Sequence, residues 1–246
     1  VNPRTILASI SGFGQFGPWT HLPGYDVLAQ AMGGLMAVTG EAGGPPVKAG
    51  FSVADLGAGM FACMGILAAL IARGRTNDGQ WVDVSLLDTV LSWQTYFATN
   101  YFLTGKEPTP SGSAHPNIVP YQAFPSADGW FILAVGNDSQ WAKFKQATGF
   151  IDADGRWDTN EERVSDRVRL VSELEQFFRN EPTAHWLKVC RDAGIPCGPI
   201  SKYAEIWFSP HVDARDMKVR MNHPKAGVID VPGSPLKLSD TPAAMR

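Results

Sequence analysis

Charged residues are scarce in this sequence. Asp, Glu, Lys and Arg make up 18% of its 246 residues, with a net charge of -3, whereas soluble domains contain about 25%. Lys and Arg form no run or basic arm, so we expect no nucleic-acid partner. We interpret the surplus of apolar residues as surface that another subunit or further chain covers.

Cysteines are also few. Cys63, Cys190 and Cys197 are an odd number without C-x-x-C spacing, which indicates neither a disulfide framework nor a zinc site. We therefore expect no metal and a reducing compartment, cytoplasmic or, in a eukaryote, the mitochondrial matrix or peroxisome. We expect Cys63 to be a packed thiol rather than a nucleophile.

Long hydrophobic runs and export signals are missing as well. The longest apolar stretch, Met60–Ala72, is too short and too rich in Gly and Ala for a membrane span, and no signal-peptide pattern starts at Val1. We therefore predict a soluble protein without a membrane partner. Because the chain opens almost at once on the buried-strand pattern TILASIS, we expect it to be part of a longer protein.

Strand and helix patterns alternate in the first part of the chain, which predicts an α/β fold. The predicted elements are a strand at Thr5–Ser11, helices at Gly24–Gly34 and Asp55–Arg73, a strand at WVDVSLL, and a helix from Asp88 to about Leu103. Pro, Gly, Ser and Thr crowd together from Thr104 to Asn117, so we predict a large domain at 1–104 and a smaller one at 105–212. We expect the tail, 213–246, to return to the large domain.

The second part of the chain predicts an α+β domain. VPYQAF and WFILAVG flank the turn SADG as a β-hairpin, and a helix follows with Asn137 or Asp138 near its N-cap. Amphipathic helices are predicted at Glu161–Arg179 and Thr183–Ala193. The chain has no G-x-G-x-x-G or Walker motif, and Gly12-Phe13-Gly14 alone is a weak signal for nucleotide binding.

Asp55 stands at the start of a helix that is otherwise free of charge until Arg73. The common role of such a residue is an N-cap. Gly57 and Gly59, however, cost the helix about 1 kcal/mol each against Ala, and we interpret them as clearing space beside the carboxylate. A helix N-terminus favours an ionised carboxylate, and an accessible one can act as a nucleophile.

Several long segments together resemble the class III CoA-transferases, the family that includes formyl-CoA transferase and the carnitine CoA-transferases. The resemblance runs from Asn2 to about Leu238, through SISGFGQFGPWTHLPGYDVLAQAMGGLMAVTG, VADLGAGMFACMGILAALIAR, TNDGQWVDVSLLD and AHPNIVPYQAF. GKEP and GSAHPNIVPYQAF are most similar to members that move CoA between succinyl-CoA and other carboxylic acids.

The resemblance implies that Asp55 is the catalytic aspartate. Its carboxylate would attack an acyl-CoA, form an aspartyl mixed anhydride, and become an aspartyl-CoA thioester that an acceptor acid consumes. Acyl-CoA and a carboxylic acid would be the substrates, and no permanently bound cofactor is needed. Backbone N–H groups of glycine-bordered loops can stabilise the oxyanion of each step, so Gly12, Phe13, Gly14 and Gly57 are candidates for binding substrate or CoA.

Tyr25 falls where the transferases of this family carry a substrate-contacting tyrosine. Without the resemblance, a buried tyrosine at a helix start is the commoner interpretation. The related racemases have a histidine in this position, and a phenol is a poor base at neutral pH, which favours transfer over racemisation. Asp26 either orients the site or caps its own helix. A racemase or isomerase remains an alternative function.

His115, Pro116, Asn117 and Tyr121 correspond to the family's mobile active-site loop, which here contains Gly112 but no glycine run. His115 is either a site residue or a solvated surface residue, while Asn117 is a further binding candidate. A cation would be needed to bind a second carboxylate, and Lys48 and His115 are the nearby candidates.

The resemblance also implies an architecture. The large domain would be the C-terminal part of a Rossmann-like domain, and full-length members carry an additional N-terminal segment with much of the CoA-binding surface. Their two subunits form an interlocked homodimer. A non-catalytic fragment that retains only the interfaces is the remaining alternative.

Overall fold

The structure, a computed structural model, describes residues 2–243, which form two compact units, 2–117 and 118–243. The first unit thus ends after Asn117 and not after Thr104. Residues 105–117 stay with it because the Gly112 N–H donates to the Gly40 carbonyl at 2.8 Å. Val1 and residues 244–246, which the predicted boundaries include, lie outside the described residues.

The first unit is built on two parallel strands joined by helices, which confirms the predicted α/β alternation. In the two strands, Leu7 lies opposite Trp81 and Ser11 opposite Ser85. Its elements are β1 (Leu7–Ser11), α1 (Asp26–Met32), α2 (Leu35–Val38), α3 (Val53–Thr76), β2 (Trp81–Ser85), α4 (Leu86–Ser92) and α5 (Thr95–Thr104).

The predicted helix at Gly24–Gly34 is confirmed as α1, whereas the predicted helix from Asp88 to Leu103 is divided in the structure. Gly34 has φ 81°, which ends the first helical segment and starts α2. The predicted helix from Asp88 to Leu103 is α4 and α5, separated by Trp93 and Gln94. The Gln94 side-chain amide donates to the Gly33 carbonyl, so this contact joins the interruption at Gln94 to the end of α1.

β1 is less buried than its sequence pattern predicts. Leu7 is 58% exposed and Ile10 is 53% exposed. The reason is that β1 and β2 form a sheet of two strands in the described part of the chain, and such a sheet cannot cover both of its faces. The expectation of a buried strand is therefore wrong for residues 2–243.

Helix α3 has one face of small residues. Ala54, Gly57, Ala58 and Ala62 are buried, and a small cluster joins two of them to Ala29, Leu86 and Val90. Small side chains let α3 lie close to α4 and the sheet. The whole of α3 is long and apolar enough to cross a bilayer, judged by length and composition alone. The charge-free apolar stretch inside it, Met60–Ala72, is too short for a span. Core helices of soluble proteins meet the same test.

The second unit contains a three-stranded antiparallel sheet, in the order β3 (Tyr121–Pro125), β4 (Trp130–Ala134), β5 (Cys197–Pro199). β3 and β4 form the predicted hairpin. The helices that pack with this sheet are α6 (Asp138–Thr148), α7 (Asn160–Ser165), α8 (Arg167–Phe178) and α9 (Thr183–Asp192). Asn137 is the N-cap of α6 and accepts the Gln140 N–H at 2.9 Å, as predicted.

The core of the second unit is aromatic, with Phe124, Phe131, Phe144 and Phe178 fully buried. Ring pairs such as Phe131 and Phe178, whose centroids are 5.0 Å apart and nearly perpendicular, add to the stability that burial gives. A larger set of apolar residues surrounds these four, so this unit has a substantial core of its own.

The tail belongs to the second unit. It comprises α10 (Tyr203–Trp207), α11 (Pro210–Ala214) and an antiparallel hairpin of β6 (Lys218–His223) and β7 (Gly227–Pro232). Lys218 Nζ donates to the Trp207 carbonyl and lies 3.7 Å from Asp213, which ties the hairpin to the preceding helices. Residues 213–243 group with the second unit in this chain, and the return of 213–246 to the large domain stays a prediction.

Candidate active site

Asp55 is the third residue of α3 and its side chain is exposed. Ser52 is the N-cap, so the interpretation of Asp55 as an N-cap is wrong. A carboxylate in the first turn still lies at the positive end of the helix dipole. The structure therefore presents an accessible carboxylate at a helix start.

Asp26 holds the residue next to Asp55. Its Oδ1 accepts the Ala54 N–H at 2.8 Å, and its Oδ2 accepts the Gln30 side-chain amide at 2.6 Å. Gln30 Oε1 in turn accepts the Ala49 N–H at 2.9 Å. Asp26 thus binds the N-terminus of α3 and does not cap its own helix, while its role in orienting the site stays a prediction.

Both side chains that make these bonds are withdrawn from solvent. Asp26 is 9% exposed and Gln30 is fully buried. The sequence contained a local signal for Gln30, because Asp26 and Gln30 stand four residues apart on one helix face. Its bond to Ala49 has no such signal, since these residues are 19 positions apart.

The Gly12–Gly24 loop closes on itself just before Tyr25. A Cβ on Gly12 would lie 2.5 Å from the Gly24 Cα, so only glycine allows the two backbones to approach this closely. Gly14 has φ 88° and donates its N–H to Ser11 Oγ at 2.9 Å. Within the same loop, the Phe13 ring contacts Trp19 edge to face.

Asp83, which the sequence did not single out, fixes this loop to the sheet. Its Oδ2 accepts the Gln15 N–H at 2.9 Å and its Oδ1 accepts the Ser9 hydroxyl at 3.3 Å. The side chain reaches both groups because β2 pairs with β1 at Ser9. Strand alternation places Asp83 on one face of β2 but does not identify its partners.

Tyr25 is the N-cap of α1 with extended backbone, and its side chain is 72% exposed. The interpretation of a buried tyrosine at a helix start is therefore wrong. Tyr25 precedes Asp26 directly, and Asp26 binds the residue before Asp55. The structure in this way brings the starts of α1 and α3 together.

Gly57 and Gly59 differ in what surrounds them. A Cβ on Gly57 would lie 2.6 Å from Thr89 Cγ2 and would also collide with Trp93. The missing side chain at Gly57 thus leaves room for α4 and not for a group beside Asp55. Gly59 has open space instead and lies one turn after Asp55 on the same helix face.

The predicted active-site loop contributes to both units. His115 Nδ1 accepts the Asn117 N–H at 3.1 Å, so the neutral ring carries its proton on Nε2. The His115 ring is half-buried and packs against Tyr96, with ring centroids 5.0 Å apart and ring planes tilted by 42°. Asn117 Oδ1 accepts from Asn100 at 3.3 Å, whereas Tyr121 begins β3 of the second unit.

The cysteines are placed differently from one another. Cys63 is exposed on α3, so the expectation of a packed thiol is wrong. Burial raises the pKa of the Cys190 thiol to about 12 and also raises the pKa of Cys197. Thiols with raised pKa values are poor nucleophiles at neutral pH.

The remaining candidates have simple positions. Lys48 is exposed and its Nζ donates to the Ala49 carbonyl at 3.0 Å. Across residues 2–243, the structure groups no three His, Cys, Asp or Glu side chains around a metal position.

The chain is similar to known CoA-transferases over nearly its whole length. Succinyl-CoA:glutarate CoA-transferase of Mus musculus is 40% identical over 97% of this chain and 55% of that protein. Acetyl-CoA:oxalate CoA-transferase of Acetobacter aceti is 38% identical over 97% and 61%. The chain thus spans little more than half of these relatives.

A solved structure and a family model agree with these relatives. The crystal structure of a CAIB/BAIF family protein from Brucella suis superimposes with a TM-score of 0.80 at 37% identity, over 98% of this chain and 63% of that one. The family model described as CoA-transferase family III matches residues 1–246. With a family match of this extent, the chain belongs to CoA-transferase family III.

Proposed function

We propose that the protein transfers coenzyme A from an acyl-CoA to a carboxylic acid, with Asp55 as the covalent nucleophile. The observation that carries this proposal is the exposed Asp55 carboxylate in the first turn of α3, next to a buried residue whose N–H is held by Asp26. Nucleophilic attack needs an accessible carboxylate in a fixed position.

The reaction runs in balanced steps. A carboxylate oxygen of Asp55 attacks the thioester carbonyl, the C–S bond breaks, and CoA leaves as its thiolate with an aspartyl mixed anhydride behind. The thiolate then attacks the aspartyl carbonyl and expels the donor acid, which leaves an aspartyl-CoA thioester. An acceptor carboxylate repeats both steps in reverse and departs as the new acyl-CoA. No permanently bound cofactor takes part.

Several groups would assist these steps. Each acyl transfer develops an oxyanion that backbone N–H groups can stabilise. In the Gly12–Gly24 loop, Gly12 and Phe13 are the candidates to supply such groups, whereas the Gly14 N–H already donates to Ser11 Oγ. Tyr25 would contact the substrate through its exposed hydroxyl. We assign His115 and Asn117 to substrate binding on the resemblance of their segment. Gly57 serves the packing of α3 on α4.

We propose a dicarboxylic acid as acceptor. The relatives named for glutarate and oxalate support this class. Lys48 is the candidate for binding the second carboxylate, and its ammonium is exposed. Residues 49–54 connect Lys48 to Asp55, and hydrogen bonds to Gln30 and Asp26 fix the two ends of this segment.

We also propose the larger assembly. The first unit would be the C-terminal part of a Rossmann-like large domain, since its parallel strands are joined by helices and its exposed Leu7 and Ile10 need cover. The second unit would be the smaller α+β domain. The full-length protein would be an interlocked homodimer in the cytoplasm, in which exposed apolar residues of α3 become buried.

The test uses the full-length protein with succinyl-CoA and a panel of mono- and dicarboxylic acids. We expect new acyl-CoA products, and a CoA adduct on the peptide that contains Asp55 by mass spectrometry. Asp55→Asn, which keeps size but not nucleophilicity, should lower turnover on the order of 1,000-fold or more. Asp78→Asn, an exposed change in the turn after α3, is the matched control.

The outcomes separate the alternatives. Full turnover by Asp55→Asn would refute the mechanism. Epimerisation of a 2-methylacyl-CoA without CoA transfer would favour the racemase alternative. Binding of neither CoA nor acyl-CoA by the intact protein would favour a non-catalytic role.

A further inference from the structure

A buried chain of hydrogen bonds connects the two ends of the segment that leads to Asp55. The chain runs from the Ala49 N–H to Gln30, from the Gln30 amide to Asp26, and from the Ala54 N–H to Asp26. We call these three bonds the Asp26–Gln30 relay. They attach residues 49–54 to α1.

Every bond of the relay has a fixed direction. The two backbone N–H groups can only donate, so each needs an acceptor. A carboxylate at 26 can only accept. The Gln30 amide donates one N–H to this carboxylate and accepts the Ala49 N–H with its oxygen. The amide of Gln30 therefore has a single orientation that satisfies both neighbours.

The relay fixes the backbone directly beside Lys48 and Asp55, so its loss would displace both side chains. Ala49 follows Lys48, and Ala54 precedes Asp55. Ala54 is fully buried while Asp55 is exposed, so the backbone at 54 is the nearest fixed point of the nucleophile. A displacement of about 1 Å in such a position can cost a reaction roughly 100-fold.

We propose that Asp26 and Gln30 are positioning residues. Through the backbone at residues 54 and 49, they keep Asp55, the nucleophile, and Lys48 in the positions that the reaction needs. This inference rests on the proposed function. It assigns Asp26 no contact with substrate, and it gives Gln30, which lies inside α1, a role in catalysis without contact with the reacting atoms.

The direction of the bonds provides a specific test. Asp26→Asn replaces one of the two acceptor oxygens at position 26 by an NH2 group. Whichever way the amides at 26 and 30 turn, one N–H donor of the relay is then left without an acceptor. In Gln30→Glu, two carboxylates meet at the place of the 2.6 Å bond and repel. In the double variant, the carboxylate introduced at position 30 accepts from the Ala49 N–H and from the amide introduced at position 26. The oxygen of that amide accepts from the Ala54 N–H, so all three bonds return.

We expect each single variant of the full-length protein to lower kcat about 10- to 100-fold at pH 7. The double variant should return kcat to within about threefold of wild type, because the two sites are directly coupled. Gln176→Glu and Asp78→Asn make the same chemical changes at exposed positions and serve as matched controls.

Amide hydrogen exchange gives a readout that does not depend on activity. The amides of Ala49 and Ala54 should exchange faster in both single variants and regain protection in the double variant. Circular dichroism and thermal unfolding identify any variant that has not folded, and in that case the exchange comparison is made between wild type and the double variant.

The results distinguish the two proposals. A wild-type protein without CoA transfer would refute the proposed function, while the exchange data would still test the relay. A double variant with restored protection but low kcat would show that the carboxylate at 26 acts on the substrate itself, which would overturn the inference. Single variants with wild-type kcat would overturn it as well.

Discussion

Gly57 and Gly59 offer a paired test of how α3 packs, because the same substitution should change stability differently at two positions only two residues apart. Both lie in one helix, and Ala is favoured over Gly in helix interiors by about 1 kcal/mol. Gly59 has open space, whereas a Cβ at Gly57 would lie 2.6 Å from Thr89 Cγ2. Unstrained carbon contacts are about 3.5–4.0 Å, so α4 must move.

The expected magnitudes follow from these contacts. Gly59→Ala should stabilise the protein by about 1 kcal/mol through helix propensity alone. Gly57→Ala gains the same amount but overpacks the α3–α4 contact at Thr89 and Trp93, which typically costs about 1–3 kcal/mol. The propensity term cancels in the comparison. Gly57→Ala should therefore be less stable than Gly59→Ala by about 1–3 kcal/mol.

Urea unfolding of the full-length protein measures this difference. Gly59→Ala should raise the urea concentration at the unfolding midpoint, whereas Gly57→Ala should lower it or leave it near that of wild type. The dependence of the unfolding free energy on urea concentration should be similar in all three proteins. Equal stabilisation by both variants would refute the packing explanation, since it would mean that α3 and α4 are not in contact at Gly57.

Two further predictions concern titratable groups in described residues. Iodoacetamide at pH 8 should alkylate exposed Cys63 well before Cys190, whose pKa burial raises to about 12; peptide mass spectrometry measures the rates, and equal rates would contradict the placement. The backbone N–H of Thr183 lowers the pKa of Asp128, so this carboxylate stabilises the fold above its unfolded pKa, near 3.9, and the contribution is lost as pH falls through the lower folded value. Asp128→Asn should therefore be less stable than wild type at pH 6, with a gap that narrows below about pH 4 in urea unfolding; a constant gap would refute it.

Much of the order of elements could be predicted from the sequence, because local periodicity determines it. The strand at Thr5–Ser11 and the hairpin in the second unit are confirmed with small changes of boundary. The interruption at Gln94 could not be predicted, since the apolar pattern from Asp88 to Leu103 is continuous. It depends on a bond from Gln94 to Gly33, 61 residues away.

The same distinction applies to the candidate site. Asp55 could be found because an acidic residue at the start of a small-residue helix is a local pattern. The function of Asp26 could not be decided, because its partner Ala54 is 28 residues away. Asp83 was missed for the same reason, since its bond to Gln15 spans 68 residues. Contacts of this range are set by how α1, α3 and the strands pack.

A covalent nucleophile must be accessible and at the same time immobile, and these requirements conflict for a single side chain. The structure meets them with different residues. Asp55 is exposed, while Ala54 beside it is fully buried and donates to Asp26, itself 9% exposed. Polar groups that are buried and fully bonded are costly to displace, so the fixed part of the site lies beneath its surface. Under the proposed function, the reactivity of Asp55 therefore depends on side chains of α1 that no substrate needs to touch.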